Sequence, residues 1–240
     1  MRVVIVKICT SLLMLKGDVV IFLTTQRRMT DFNFEILLVV ILSYLMGSIP
    51  TAYLVGRLHN IDIFAVGSGN MGATNVSRAI GFKWGVLVLA IDALKGVLAI
   101  VLSKIIAPDL GMLATTLSAV SVIIGHNWSL FATLLTGTLR GGKGAATAFG
   151  TLLMIAPSYV IIAIMFAGGF ILARTRYVSL AVLTMVALAV IWLTILALQH
   201  TLDTMVIFYC WALSVLIIVR FRENIQRLAE GKERRFGDRV

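Results

Sequence analysis

Long apolar segments, each separated from the next by a short polar loop, run along most of the sequence. An α-helix needs about 20 apolar residues to cross roughly 30 Å of hydrocarbon, so segments of this length predict membrane-spanning helices. Helices are the expected form because lipid cannot hydrogen-bond an open backbone. The predicted apolar segments are residues 36–56, 84–103, 111–130, 145–173, 178–198 and 204–219, followed by a charged tail at 220–240.

The segment 145–173 decides the topology, because Pro157 interrupts it. One helix there gives six spans and places the basic tail opposite the basic loops. Two helices give seven spans, with the N-terminus outside and the basic segments on the cytoplasmic face, as the positive-inside rule favours. The sequence therefore predicts an all-α integral membrane protein with seven transmembrane helices, two of them short and meeting near Pro157. The first, 145–156, should be buried by its neighbours. The basic segments are 57–83, 132–143, 174–176 and the tail.

The composition supports this class of protein. Of 240 residues, 60% are hydrophobic and 13% are charged, whereas soluble domains are roughly 45–50% apolar and about 25% charged. The net charge of +10 lies in the loops and tail, which argues against a nucleic-acid partner. Cys9 and Cys210 form no CxxC motif and the three histidines are far apart, so we expect no cofactor and no metal site.

Residues 1–28 differ from the rest of the chain. They are apolar but interrupted by charges, end in two arginines, and lack a clear signal-peptide core. Met29 begins a new segment that leads directly into the first long apolar run. We expect 1–28 to be an N-terminal extension that precedes the native start, and 29–240 to form a single membrane domain. Mass spectrometry of the native N-terminus tests this expectation, and a peptide from within the first 28 residues would contradict it.

The first polar loop contains the sequence GSGNMGATNVSR at positions 67–78. Its glycines, Gly67, Gly69 and Gly72, match GxGxxG, but no βαβ unit surrounds them, so a dinucleotide-binding fold is not predicted. Glycines still let the backbone approach an anion closely and form a nest of N–H groups. An interhelical turn of small residues is the alternative interpretation. The candidate ligands of a phosphate are the neutral side chains and the arginine of this loop: Ser68, Thr74, Asn75 and Arg78.

The second polar loop contains Gly141, Gly142, Lys143 and Gly144. With Gly137 it matches the G-x4-G-K spacing of a Walker A loop, but Gly144 replaces the Ser or Thr that would bind Mg²⁺ and no strand precedes the loop, so an NTPase is not predicted. A lysine flanked by glycines at the start of a helix is nevertheless a good phosphate receptor, because helix N-termini attract anions. The alternative is an ordinary lysine on the positive side of the membrane.

Charged residues also occur inside and just after the spans. Asp92 and Lys95 lie at i and i+3 within an apolar segment, where they share a helix face and can form an ion pair. Intramembrane charges are rare and usually functional, although a purely structural pair is an equal alternative. The tail opens with an amphipathic, mixed-charge sequence that includes Arg222, which a surface helix would explain equally well.

Taken together and in this order, these motifs resemble the bacterial membrane glycerol-3-phosphate acyltransferases that use acyl phosphate as the donor, the PlsY family. The resemblance covers about residues 29–237. The motifs that carry it are GSGNMGATNVSR, GGKG followed by Thr147, Asp92-x-x-Lys95-Gly96, Tyr177-Val178-Ser179, and Glu223-Asn224-Ile225 with Arg227-Leu228.

The resemblance implies a seven-helix enzyme of the bacterial inner membrane, with its active site facing the cytoplasm. Such an enzyme transfers a fatty acyl group from acyl phosphate to the 1-hydroxyl of glycerol 3-phosphate, and makes lysophosphatidic acid for phospholipid synthesis. It also implies membrane lipids as partners and a functional link to an enzyme that produces acyl phosphate. By the same resemblance, Ser68, Thr74 and Arg78 belong to the first-loop site, Lys143 holds phosphate, and Ser179 and Asn224 complete the glycerol 3-phosphate pocket.

One position departs from the family pattern. The family commonly has histidine just after the arginine that opens the tail motif, and this chain has Phe221 there. Any role of that histidine is therefore absent, or Arg220 or Arg222 supplies the charge instead.

The residues themselves fit acyl transfer from a mixed anhydride. Because phosphate is a good leaving group, catalysis then needs mainly positioning and charge stabilisation. No nucleophilic cysteine, Ser-His-Asp pattern or H-x4-D box is evident, so a proton transfer assisted by the phosphate of the acceptor is our hypothesis. A transporter for an organic phosphate is the competing class, although the polar motifs lie on one face rather than at the membrane midplane.

Overall fold

In the computed structural model of the protein, residues 11–14, 20–23 and 29–237 are described, with side chains from residue 33 onward. Two short strands precede the helices: β1 (Ser11–Met14) and β2 (Val20–Leu23) pair antiparallel. This strand pair was not among the predicted elements. The expectation that residues 1–28 are an extension lies mostly outside the described residues and stays an expectation.

From Met29 onward the elements of the described chain are helical, as predicted. A 3-10 turn, Pro108–Leu110, joins the fourth and fifth of them. The α-helices are α1 (Met29–Gly47), α2 (Thr51–Leu58), α3 (Ala73–Ala79), α4 (Phe82–Ile106), α5 (Gly111–Asn127), α6 (Leu130–Thr136), α7 (Ala145–Ile155), α8 (Ser158–Thr175), α9 (Val178–Leu198) and α10 (Met205–Ala229).

The predicted spans are recovered as helices. Within the described residues, six helical segments are long and apolar enough to cross a membrane, and the shorter apolar helix α7 is the seventh predicted segment. The break near Pro157 is confirmed, because α7 ends at Ile155 and α8 begins at Ser158. Of the two helices that meet near Pro157, however, only α7 is short. The prediction that both helices are short was wrong for α8, which has 18 residues. It continues through Gly168 and Gly169 and ends only where the chain turns at Arg176, with φ of +61°.

Two other boundaries differ from the prediction. The first predicted span, 36–56, is divided at Pro50, which has no N–H to continue the helix, so α1 and α2 are separate. The tail does not form a separate surface helix at its start, because α10 continues unbroken to Ala229. Residues 220–229 therefore belong to the same rigid helix as the last membrane span.

Helices α4 and α7 approach each other very closely through small residues. A Cβ built on Gly150 would overlap the carbonyl oxygen of Ala93, and one built on Gly96 would overlap the carbonyl oxygen of Thr147. Close backbone approach through small residues is the usual way in which helices pack in lipid. Much of α7 is buried, including Leu152 at 3% exposure, as expected for a helix too short to cross alone.

We expect Gly150→Ala to destabilise the protein by about 1–3 kcal/mol, the usual cost of forcing an extra carbon into a tight interface. Thermal unfolding of the purified protein in detergent measures the effect. Gly169→Ala on α8 is the matched control, because a Cβ at Gly169 meets no atom within 4 Å. Equal unfolding temperatures for the two variants would contradict the close packing of α4 and α7.

The basic segments that were predicted to share a face lie at one end of the helix bundle. Direct contacts join the first loop and the turn after α8 to the tail, and α10 to the second loop. The donor–acceptor pairs are Arg78 Nη2 to the carbonyl oxygen of Arg235 (3.2 Å), Arg176 Nη2 to that of Phe236 (2.6 Å) and Arg220 Nη2 to that of Gly142 (2.6 Å).

Candidate active site

An open cavity lies at this basic end of the bundle. Residues from the first loop, the second loop, the start of α9 and the tail line it. It therefore brings together segments that are far apart in sequence. The predicted ligands that line the cavity are Ser68, Thr74, Asn75, Arg78, Lys143, Ser179 and Asn224, together with Gly72, Gly144 and Asp92.

The first loop is shaped by Asn75, which is 2% exposed. Its Nδ2 donates to the carbonyl oxygens of Ile63 (3.0 Å) and Val66 (3.2 Å), and its Oδ1 accepts from the N–H of Ser68 (3.0 Å). Asn75 was predicted as a donor to phosphate, but these bonds commit its amide to the loop itself. The side chains of Ser68 and Thr74 are the neutral donors that remain at the cavity.

Gly67 and Gly69 have a different role from the predicted one. Neither lines the cavity. Both adopt positive φ, +58° and +63°, a conformation that costs glycine little and other residues more. They turn the chain so that Ser68 and Gly72 reach the cavity.

The second loop is held from behind by the end of α5. The N–H of Gly142 donates to the carbonyl oxygen of His126 (2.9 Å), and a Cβ on Gly142 would overlap Nε2 of the His126 ring. A Cβ on Gly141 would overlap the backbone of Asn127. From the other side, Arg220 on α10 donates through Nε (2.9 Å) and Nη2 (2.6 Å) to the carbonyl oxygen of Gly142.

Lys143 follows directly in this fixed loop and extends into the cavity. Its Nζ donates to Oδ1 of Asn224 and lies 5.3 Å from the ring centroid of Phe221. Burial lowers the pKa of Lys143 from 10.5 to about 8, and the nearby Arg227 adds to the shift. The nearby Glu233 and Glu223 partly oppose it. Lys143 is therefore a partly buried cation near neutral pH.

The tail supplies an anion to the same cavity. Glu233 Oε1 accepts from Ser179 Oγ (2.9 Å) and from Asn224 Nδ2 (2.6 Å), and Oε2 accepts from Arg227 Nε (2.9 Å). Burial by itself raises the pKa of Glu233, but these hydrogen bonds outweigh it and hold the pKa below its ordinary value. Arg227, Glu233 and Arg234 line the cavity and were not predicted as site residues. Arg227 belongs to the tail motif of the family resemblance, whereas the only signal for the other two was the charge of the tail.

The predicted intramembrane pair is present. Lys95 Nζ lies 2.7 Å from Oδ1 of Asp92, and the two side chains are 5% and 3% exposed. Lys95 also donates to the carbonyl oxygen of Ile49 (2.9 Å), in the break between α1 and α2. Nδ1 of His126 lies 3.5 Å from Lys95 Nζ. The pair therefore supports His126, which in turn holds Gly142; this position of His126 was missed by the sequence-based prediction.

Arg222 does not take the supporting role that was predicted. It is exposed and lies outside the cavity, because the helical period of α10 points Phe221 and Asn224 inward instead. Arg220 is the arginine that reaches the second loop, at the carbonyl oxygen of Gly142. No group of three or more His, Cys, Asp or Glu side chains within the described residues could hold a metal ion.

The fold and the cavity define an integral membrane protein with a cavity lined by cationic side chains at one end of its helix bundle. A family profile described as glycerol-3-phosphate acyltransferase matches residues 37–231. A protein named glycerol-3-phosphate acyltransferase 2 from Moorella thermoacetica is 39% identical over 204 residues, which cover 85% of this chain and 98% of that protein.

Solved structures show the same fold. The crystal structure of PlsY, an integral membrane glycerol 3-phosphate acyltransferase, in its glycerol 3-phosphate form has a TM-score of 0.73 and 37% identity, covering 84% of this chain and 96% of that one. The lysophosphatidic acid form of PlsY gives a TM-score of 0.72 and 36% identity, covering 84% and 95%. The chain belongs to the glycerol-3-phosphate acyltransferase family, and it is a membrane acyltransferase.

Proposed function

We propose that the protein transfers a fatty acyl group from acyl phosphate to the 1-hydroxyl of glycerol 3-phosphate, producing lysophosphatidic acid and inorganic phosphate. The acceptor and product are supported by the two PlsY structures, which are glycerol 3-phosphate and lysophosphatidic acid forms. The donor is supported by the chemistry of the cavity, which offers cations and hydrogen-bond donors and contains no thiol nucleophile among its lining residues.

The observation that carries this proposal is the convergence of cations from three separate segments on one cavity. Arg78 comes from the first loop, Lys143 from the second, and Arg227 from the end of α10. Two anionic groups, one on each substrate, need such separate receptors. Next to the cations, the lining includes the apolar side chains of Leu89, Val178 and Val182, which suit the first carbons of an acyl chain.

In the proposed reaction Lys143, Ser179 and Asn224 hold glycerol 3-phosphate, and Arg78 with Ser68 and Thr74 receives the second phosphate. The way in which Ser179 and Asn224 already donate to the Glu233 carboxylate supports their ability to bind an anionic oxygen. The N-terminus of α7, which begins after Gly144, adds a partial positive charge beside Lys143.

Once both substrates are bound in this way, the reaction needs no covalent intermediate on the protein. The acceptor hydroxyl oxygen attacks the acyl carbonyl carbon, the bond from that carbon to the phosphate oxygen breaks, and phosphate leaves. We infer that the hydroxyl proton passes to a phosphate oxygen. Glu233 is a poor base for this step because three hydrogen bonds stabilise its charged form, and Asp92 is paired with Lys95.

The pH dependence follows from Lys143. With a pKa of about 8, its ammonium is present below that pH and is lost as the pH rises through it, so kcat/KM should fall above about pH 8. In Lys143→Arg the guanidinium stays charged throughout this range, so the fall should move to much higher pH. The measurement is kcat/KM against pH for both proteins, and an unchanged alkaline fall in Lys143→Arg would assign it to another group.

We further propose that the cavity faces the cytoplasm across a bacterial inner membrane, as the positive-inside rule favours for its basic loops. A soluble or peripheral enzyme that produces acyl phosphate would then supply the donor from the same side. Cysteine-accessibility labelling of intact cells at the exposed Lys232 position, changed to cysteine, tests the orientation, and labelling from outside would contradict it.

An assay of purified protein with acyl phosphate and labelled glycerol 3-phosphate distinguishes an acyltransferase from a transporter. Formation of labelled lysophosphatidic acid supports the acyltransferase. Counterflow of glycerol 3-phosphate in liposomes, without this product, would support the competing transporter instead.

A further inference from the structure

Phe221 lies at the cavity and has no place in the reaction as described so far. It is 4% exposed, lines the cavity, and also packs in the main apolar core. Its neighbour in the cavity is Lys143, whose Nζ lies 5.3 Å from the centroid of the ring. A cation within about 6 Å of an aromatic face is attracted by the ring quadrupole, and more strongly where water is excluded.

Two residues on one face of α10 contact the same ammonium group. Asn224 follows Phe221 by three residues, which places both side chains on one side of the helix. Asn224 Oδ1 accepts a hydrogen bond from Lys143 Nζ, and the Phe221 ring contacts it through its face. The ring attracts the Lys143 ammonium without accepting a conventional hydrogen bond from it. N–H groups of Lys143 that do not donate to Asn224 therefore remain for a substrate phosphate.

The other charges around Lys143 come from α10 and the tail. Arg220 and Arg227 are cations that disfavour its charge, whereas Glu223 and Glu233 favour it. Arg220 donates to Gly142, and Glu233 is bound by Ser179, Asn224 and Arg227. Glu223 in turn lies 3.7 Å from Nη1 of Arg227. Both carboxylates therefore have partners of their own, and the ring is a separate, uncharged source of attraction.

We propose that Phe221 is a positioning residue that holds the Lys143 ammonium at the cavity through the face of its ring. This inference rests on the proposed function, since it takes Lys143 as a receptor of substrate phosphate. An ordinary core phenylalanine is the competing explanation, and it requires only the shape and apolarity of the side chain.

Fluorinated phenylalanines at position 221 separate these two explanations. Fluorine withdraws charge from the ring face and weakens the attraction stepwise, while the shape of the side chain hardly changes. Across a series from one to three fluorines, we expect kcat/KM to fall by about 3- to 10-fold in total. The alkaline fall of kcat/KM should move to lower pH by about half a unit to one unit, because the ring no longer favours the ammonium.

Thermal unfolding is measured on the same proteins and should stay constant along the series. The same substitutions in Lys143→Arg form a second series, in which the alkaline fall should not move. A kcat/KM that does not change with fluorine content in the otherwise native protein would overturn the proposal. Failure of the native protein to form lysophosphatidic acid would instead overturn the proposed function, so the two failures are distinguishable.

Discussion

Replacing Lys143 with alanine is expected to lower kcat/KM on the order of 10²-fold or more, because the acceptor phosphate loses the cation that holds it and misplacing a reacting group costs about that much. The ammonium is held by the Gly141–Gly144 loop behind it and by Asn224 and Phe221 in front of it. No other lysine lines the cavity within the described residues, and the neighbouring Arg227 is already bound to Glu233. Lys143→Arg keeps the charge and should retain part of the activity.

Lys143→Ala also tests whether Lys143 acts by positioning glycerol 3-phosphate. We expect binding of glycerol 3-phosphate, measured directly on the purified protein, to weaken together with the rate. Lys83→Ala is the control, because Lys83 is exposed and lies outside the cavity; it should behave like the native protein. Complete loss of activity in Lys143→Ala with unaltered glycerol 3-phosphate binding would argue against a purely positioning role.

A single methyl group at Gly142 is expected to be almost as damaging. In Gly142→Ala the new Cβ would overlap the His126 ring, which is 4% exposed and close to both Lys95 and Asp92. Because the ring has little room to move, the loop must shift and carry Lys143 with it. A displacement of about 1 Å at a catalytic group costs on the order of 10²-fold in rate, and this is the loss that we expect in kcat/KM.

Gly137→Asn is the matched control in the same stretch of chain. Gly137 ends α6 with φ of +69°, a conformation that asparagine tolerates, and a Cβ there meets no atom within 4 Å. Near-native activity in this variant, together with a folded but inactive Gly142→Ala, would locate the effect at the loop behind Lys143. Native kcat/KM in Gly142→Ala would show that the loop position is not critical.

Much of the site could be predicted because its chemistry is concentrated in two short motifs. Glycine-rich sequence next to a cation is a local signal, so Ser68, Thr74, Arg78 and Lys143 could be read directly from the chain. Charge topology then placed both loops at the same end of the bundle. The resemblance to a known family added Ser179 and Asn224, whose surroundings in sequence are apolar or mixed and carry no such signal.

The remaining features depend on contacts that local sequence does not encode. The bond between Ser179 and Glu233 joins residues 54 positions apart, and the tail around Glu233 has no regular pattern. Asn75 looked like a ligand because its side chain is polar, but the carbonyls that occupy its amide are fixed only by the fold of the loop. Likewise, Arg222 and Arg220 differ only in which side of α10 they occupy, and packing decides that.

The most direct test of the account is a comparison of acyl donors with the purified protein and labelled glycerol 3-phosphate. In acyl phosphate the phosphate is bonded directly to the acyl carbon, so cations that line the cavity can stabilise it as the leaving group. A thioester leaves through sulfur and lacks this stabilisation, so acyl phosphate should give labelled lysophosphatidic acid, whereas acyl-CoA and acyl carrier protein should give little or none. Equal or faster product formation from acyl-CoA or acyl carrier protein would contradict the proposed reaction.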